Sequence, residues 1–272
     1  MPPKLSVITI CYNAPRLTAT CDSILAQTFR DFEWIVIDGG SGSETQHIWD
    51  KYKAHITRFV SEPDTGIYNA MNKGIRLARG TYVCFMNAGD SFHDSAVFSD
   101  IFGGAMPTAD VVYGDACYLK KWGSKIAHYP DRADLMYFIN RSINHQASFI
   151  RRDLFTKYGL YDESYKNAGD YDKWLCFAKN GAIFQHTDRV VADFLMGGRS
   201  SDKKHTTEAE SECLRALTTH IKPALLARYR WPGVQYHFWD RIFSVKTDRK
   251  RTHKIIAILG IRFKVRYNNT KG

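Results

Sequence analysis

A chain of 272 residues, 44% of them hydrophobic, can bury one large domain or one domain with a substantial tail, which excludes an intrinsically disordered protein. Its formal charge of +10 is uneven: residues 220–272 carry 13 Lys or Arg against Asp240 and Asp248, while the first 219 carry 25 basic and 26 acidic residues. The six cysteines form no C-x-x-C pair, and the chain shows neither a leading secretory signal nor an apolar run of about 18 residues. Reduced structural thiols and a cytoplasmic protein that does not span a membrane are therefore expected.

In chain order, LSVITIC at 5–11 reads as a buried strand, LTATCDSILAQT at 17–28 as a helix, and FEWIVID at 32–38 as a second buried strand. Ser43 with Gln46 three residues later predicts a capping box on the next helix. RFVS at 58–61, a helix over IYNAMNKGIRLA at 67–78 stopped near Gly80, and TYVCFM at 81–86 complete a βαβαβαβ series. After Gly103 the pattern changes to a β-rich VVYGDACYLKKW at 111–122, then NHQASFIRRDLF at 144–155, then a helix beginning around Asp170 to Trp174. A helical stretch from about Lys204 to Leu217 precedes the basic segment.

A parallel sheet of this kind binds its ligands at the carboxyl ends of the strands. Those ends are polar here: Tyr12-Asn13, Asp38-Gly39-Gly40, Glu62-Pro63-Asp64 and Asn87-Ala88-Gly89-Asp90. The Gly39-Gly40-Ser41-Gly42 stretch matches neither nucleotide fingerprint, because no G-x-x-x-x-G-K-[ST] is present and G-x-G-x-x-G fails at Thr45. What remains is a set of acids, Asp38, Asp64 and Asp90, converging on one crevice. Such a set suits a hard cation or the polar edge of a ligand.

The segments SVITICYN, IVIDGGSGSET, SEPDTGIYNAMNKGI, FMNAGD, HQASFIRRDLF, AGDYDKWL and MGGRS, in this order between about Leu5 and Ser200, resemble bacterial glycosyltransferases of family 2, nearest to the exopolysaccharide type of the colanic-acid transferases. The resemblance implies a GT-A fold: α/β, a Rossmann-like, mostly parallel sheet flanked by helices, here with a basic C-terminal extension. It implies residues 1–219 as the transferase domain, with 1–103 as the nucleotide-sugar half and 104–219 as the acceptor and catalytic half, and 220–272 as a membrane-associating tail. Family members use a D-x-D stretch to hold a divalent metal, Mn²⁺ or Mg²⁺, against the diphosphate of the donor. The equivalent stretch is Asn87-Ala88-Gly89-Asp90, which departs from D-x-D and leaves Asp90 as the metal-binding carboxylate. Asn87 would then contact the ribose or a metal-bound water.

By the same resemblance, the catalytic base that takes the proton of the attacking hydroxyl is Asp170, with Asp172 second, and Gly169 stands where the family often has an acid. Asp38 resembles the nucleobase contact and Tyr12 the aromatic beside the base, while Asp64 and Lys73 resemble residues near the nucleotide and its phosphates. His145, next to Gln146, and Arg199 resemble residues near the diphosphate or acceptor. Each residue also has a plainer reading. Asp38 and Asp64 suit turns beside glycine, Asp170 suits a helix N-terminus, Tyr12 suits the core, His145 suits a structural hydrogen bond, and Lys73 and Arg199 suit exposed cations.

In the tail, Ile261-Arg262-Phe263-Lys264-Val265-Arg266-Tyr267 alternates apolar and cationic residues, so as a strand it places its cations on one face. Interleaved aromatics and bases suit an anionic bilayer surface better than nucleic acid. The expectation is an inverting, metal-dependent hexosyltransferase, peripheral on the inner face of the bacterial cytoplasmic membrane. It would move a sugar from a UDP-sugar, or a GDP-sugar, to a polyprenyl-diphosphate-linked saccharide in exopolysaccharide or lipopolysaccharide synthesis, with no nucleic-acid partner. The alternative is a non-catalytic saccharide- or lipid-binding protein that keeps the fold. A nucleotidyltransferase would need a phosphate loop near the first strand, and none is seen there.

Overall fold

The computed structural model of the chain describes residues 2–14, 16–196, 206–228, 243–247, 253–258 and 261–266. The chain divides into two compact units, Met1–His220 and Ile221–Gly272. In chain order the first unit contains β1 (Leu5–Cys11), α1 (Leu17–Leu25), β2 (Phe32–Asp38), α2 (Ser43–Tyr52), β3 (Arg58–Ser61), α3 (Ile67–Leu77), β4 (Tyr82–Phe85), β5 (Ser91–Phe92) and α4 (Val97–Phe102). It continues through β6 (Val111–Leu119), β7 (Ser124–Ala127), α5 (Leu135–Phe138), β8 (Ser148–Arg151), α6 (Asp153–Tyr158), α7 (Gly169–Lys179), β9 (Phe184–Leu195) and α8 (Thr206–His220).

These strands form one sheet in the order β3-β2-β1-β4-β8-β6-β9-β5, with β7 on β6. The pairs among β3, β2, β1 and β4 are parallel, as their crossover helices require. Beyond β4 the sheet is mixed: β8 runs antiparallel to both β4 and β6, while β6 and β9 pair in parallel. Every residue of β1 is buried, which is why it reads as a largely apolar run, broken only by Ser6 and Thr9, instead of an alternating one. Trp34, Trp49, Phe98, Phe102 and Phe149 fill the layer between sheet and helices.

One buried acid sets how α3 returns to β4. Glu33 of β2 accepts from Ser6 Oγ at 2.6 Å and from the backbone N–H of Arg79 and Gly80 at 2.5 and 3.2 Å. Gly80 is required by this approach, since a Cβ there would lie 2.6 Å from the Ser6 nitrogen. The expected capping box on α2 does not form. Gly42 is the N-cap and has no side chain to cap with, Ser43 is already helical, and the Gln46 side chain is turned to donate to Asp38 Oδ2 at 2.9 Å instead of accepting from the N-terminal backbone.

The second unit contains α9 (Pro223–Arg228) and a three-stranded antiparallel sheet of β10 (Phe243–Thr247), β11 (His253–Ile258) and β12 (Ile261–Arg266), in that spatial order. Its register sets Arg262 opposite Ala257, Lys264 opposite Ile255 and Arg266 opposite His253. Among the described residues, no helix is long and apolar enough to cross a membrane.

Candidate active site

The carboxyl ends of β1, β2 and β3 meet in a shelf. Asn13, at a φ of +46°, clamps the first two: its backbone N–H donates to Ser41 Oγ at 2.8 Å, and its side-chain oxygen accepts from Gly42 N at 2.8 Å. Beneath this clamp Asp38 is fully buried. Its carboxylate accepts from the Ser41 hydroxyl, and from Ser41 N at 3.0 Å, Gln46 Nε2 at 2.9 Å and Ser61 Oγ at 2.6 Å. The side chain that the resemblance assigns to the nucleobase is thus occupied with holding residues 39–42.

Above the loop, Tyr12 is 67% exposed, an unusual position for a large aromatic with no apolar cover. Asp64 closes an Asx turn by accepting from Gly66 N at 2.9 Å. Gly39 lies between the two: a Cβ on it would sit 2.5 Å from Asp64 Oδ2 and 3.3 Å from the Tyr12 ring. Lys73 of α3 does not reach onto the shelf. It pairs with Glu62 at 2.7 Å and donates to the Pro63 carbonyl at 3.0 Å, fixing the turn that carries Asp64.

The second cluster gathers at the end of β4. Gly89 adopts a φ of +106°, a conformation that suits glycine, which is the physical reason for glycine at the centre of Asn87-Ala88-Gly89-Asp90. Thr20 of α1 holds the turn by accepting from Gly89 N at 2.9 Å and donating to the Asp90 carbonyl at 2.6 Å. The Asp90 carboxylate is buried, with Oδ2 accepting from Gln146 Nε2 at 2.7 Å and Oδ1 from Leu195 N at 3.0 Å. Burial raises its pKa above the usual carboxylate range, against the lowering effect of the Leu195 N–H and the Gln146 amide.

Asn87, His145 and Asp170 form a relay beside Asp90. His145 Nδ1 lies 3.2 Å from Asp170 Oδ2, and its Nε2 lies 3.0 Å from Asn87 Nδ2. A carboxylate only accepts, so Nδ1 carries the proton and Nε2 receives one from the Asn87 amide. That leaves Asn87 Oδ1 buried without a hydrogen-bond partner. His145 is set in place by a 3₁₀ turn over His145–Ala147, capped by the Asn144 side chain, which accepts from Gln146 N at 2.9 Å and Ala147 N at 3.2 Å.

Asp170 stands in the first turn of α7, where the helix dipole favours a negative charge, and it is not the N-cap, which is Ala168. Its other oxygen lies 3.4 Å from the Tyr68 hydroxyl. Burial, and then the charge of Asp170, push the Tyr68 phenol well above its usual range, so Tyr68 stays a donor. Gly169 is explained by Tyr68 as well, because a Cβ there would fall 2.7 Å from the phenol ring. Glu212 of α8 orders the approach to this turn, accepting from the N–H groups of Lys166, Asn167 and Ala168 at 2.8, 2.8 and 2.9 Å. Asp172 faces elsewhere, bound to Tyr165 Oη at 3.2 Å and His220 Nε2 at 2.9 Å, which removes it as the second choice of base.

The structure therefore joins Asn87, Asp90, His145 and Asp170 in one neighbourhood and groups Tyr12 with Asp64. Arg199 lies outside the described residues. Tyr68, Glu212 and the grip of Gln146 on Asp90 escaped the sequence reading, although Tyr68 and Gln146 lie inside motifs that it singled out. Gly169→Ala should lower kcat by about 10- to 100-fold by displacing Tyr68 and Asp170, as misplacement on the ångström scale does. Steady-state kinetics beside an unchanged circular dichroism spectrum would test this.

Residues 6–169 match the family model for glycosyl transferase family 2. The chain belongs to that family. Over 246 residues the transferase is 32% identical to the PGL/p-HBAD biosynthesis glycosyltransferase of Mycobacterium bovis, an alignment covering 85% of this chain and 92% of that one. Its fold is similar to that of S. aureus TarS 1–349 in complex with UDP-GlcNAc, with a TM-score of 0.61, 17% identity and coverage of 82% of this chain and 69% of that one. It is similar also to the mannosyltransferase PcManGT from Pyrobaculum calidifontis in complex with GDP-Man and Mn²⁺, with a TM-score of 0.60, 18% identity and coverage of 79% and 65%. These structures place the first unit in the GT-A fold.

Proposed function

We propose that the transferase moves a sugar from a nucleotide-diphosphate donor to a hydroxyl of a lipid-linked saccharide, with inversion at the anomeric carbon and with Asp170 as the base. The observation that carries this reading is the Asn87–His145–Asp170 relay beside the buried Asp90. Tyr12 offers an exposed face on which a nucleobase can stack, and Asp64 lies at its edge. UDP is the favoured carrier and GDP the other option.

Asp170 Oδ2 receives the proton as the acceptor oxygen bonds to the anomeric carbon. The bond from that carbon to the donor phosphate oxygen breaks, and its electron pair leaves on the nucleoside diphosphate. His145 and Tyr68 orient the carboxylate from two sides, so each of its oxygens has a fixed direction. Asn87 and Asp90 fit a divalent cation, Mn²⁺ or Mg²⁺. The orphaned Asn87 Oδ1, and the Asp90 lone pairs that Gln146 and Leu195 leave over, are hard oxygen donors. Such an ion, when bound, neutralises charge that develops on the departing diphosphate.

The test is turnover of a panel of UDP- and GDP-sugars, read as release of the nucleoside diphosphate with Mn²⁺ and with EDTA. Release from one nucleotide class that EDTA stops supports the proposal, whereas metal-independent release would contradict it. The polyprenyl-linked acceptor, the surface-polysaccharide role and the inner-membrane location rest on the family resemblance and on the basic tail. If that tail docks on a bilayer, replacing Arg262, Lys264 and Arg266 with Gln should weaken binding to vesicles containing anionic lipid by about 10-fold or more, at roughly 1 kcal/mol per cation. Equal co-sedimentation of both proteins would remove the membrane role.

A further inference from the structure

The parallel pairing of β6 with β9 is broken near Asp115. Tyr113 faces His186, but Asp115 faces Val190, so β9 carries two extra residues opposite Gly114 and bulges there. Gly114 makes room for this bulge, since a Cβ there would lie 2.5 Å from the Arg189 carbonyl oxygen. The loop after β7 closes over the same place, with the Asp131 carbonyl accepting from His186 N at 3.3 Å. The bulge and the loop together bring the side chains of Asp131, His186 and Asp188 into one cluster, whose ligand atoms all lie within 4.8 Å of one another.

His186 is the fixed member of the cluster, its side chain 7% exposed. Its Nε2 lies 2.9 Å from Asp115 Oδ1, and Asp115 is itself held by His128 Nδ1 at 2.5 Å and Tyr129 N at 3.0 Å. An ionised carboxylate cannot donate, so Nε2 carries the hydrogen and Nδ1 of the neutral ring presents a bare lone pair. That Nδ1 is buried without a hydrogen-bond partner and faces the cluster, 3.6 Å from Asp188 Oδ1. A lone pair opposite two carboxylates is repulsive until a positive charge enters between them.

We propose that Asp131, His186 and Asp188 bind a divalent transition-metal ion, best suited to Zn²⁺, with Asp115 as the outer partner that orients the imidazole. A carboxylate hydrogen-bonded to the far nitrogen of a ligating histidine is the common support of such sites. One imidazole and two carboxylates form a mixed nitrogen and oxygen set, which zinc takes with distances near 2.0–2.2 Å and with water as the fourth ligand. The Asp188 side chain is fully exposed and Asp131 is a surface residue, so both can turn inward to such distances. The site is separate from Asp90. Asp90 is bound to Leu195 N, and Leu195 and His186 pair with Leu119 and Tyr113 of β6, six positions apart, on the order of 20 Å along the sheet. Its effect is to clip the 128–134 loop to β9.

The test is calorimetric titration of ZnCl₂ into the untagged, metal-stripped full-length protein, on wild type and on Asp131→Asn, Asp188→Asn, Asp115→Asn and Asp90→Ala. Wild type should take up one tightly held Zn²⁺ and melt several degrees higher with it. Asp131→Asn and Asp188→Asn should each bind at least about 10-fold more weakly, and Asp115→Asn about 10- to 100-fold more weakly, as loss of an outer partner does. Asp90→Ala should retain the wild-type affinity for this ion. Because Asp188 is exposed, its variant should fold like wild type. No saturable zinc binding in wild type, or unchanged affinity in Asp188→Asn, would overturn the proposal and leave His186 as a protonated partner of the two carboxylates.

Discussion

Asp170→Asn should abolish sugar transfer, lowering kcat by about 10²–10⁴-fold, while donor binding stays within about twofold of wild type. The amide keeps the shape of the side chain and can still accept from the His145 Nδ1–H, but it cannot take a proton from the acceptor. Asp172→Asn is the internal control. That carboxylate is bound to Tyr165 and His220, so its loss should lower stability and leave kcat within a few-fold. If both variants lost donor binding along with turnover, the end of α7 would be a structural element and the base would lie elsewhere.

The second large effect should appear in stability. Burial holds the Asp90 carboxyl above its usual range, so the folded protein binds this proton more tightly than the unfolded chain does. Stability conferred by that proton is present at low pH and is lost as pH rises from the ordinary carboxylate range through the raised value. Asn at this position does not titrate. Without metal, Asp90→Asn should therefore melt above wild type at pH 7–8, and the two curves should converge below about pH 3, where the carboxyl is protonated in both states. Mn²⁺ with UDP should favour wild type. Wild type gains about 2.7 kcal/mol at 100 times its dissociation constant, and a variant that binds about 10-fold more weakly gains about 1.4 kcal/mol. Melting curves at several pH values, with and without Mn²⁺ and UDP, would show both effects; a variant less stable than wild type at pH 8 without metal would contradict the account of Asp90.

The first half of the fold was legible because its signals are local. Largely apolar runs covered on both faces gave β1 and β2, the short edge strand β3 was placed by its Phe59-Val60 pair, and the turn residues after all three marked the ligand side. β4 begins one residue later and ends one residue earlier than the apolar run TYVCFM suggests, although Met86 stays buried and its N–H still donates to the Ile8 carbonyl at 3.0 Å. Long-range pairing was not legible. No local pattern announces that β6 accepts β9 in parallel, or that the join bulges at Gly114.

The site divides along the same line. Asp90, Asn87, His145 and Asp170 were found as motif residues, yet their connection depends on contacts between side chains 25 to 58 positions apart. Tyr68 approaches Asp170 across 102 residues, and that contact is what explains glycine at 169. Asp38 shows the converse. An acid before two glycines suited both a base contact and a turn, and the partners that occupy it come from Ser41, Gln46 and Ser61, whose convergence no spacing rule predicts.

The central claim, that the end of β4 forms a metal-assisted nucleotide site, is tested most directly by calorimetric titration of UDP and GDP, with and without Mn²⁺, into wild type and Asp90→Ala. The measurement needs no acceptor. One nucleotide should bind saturably, only with Mn²⁺, and at least about 10-fold more weakly to Asp90→Ala. Binding of neither nucleotide to the folded protein, or equal binding to both proteins, would contradict it, and the former would favour a non-catalytic saccharide- or lipid-binding protein built on the same fold.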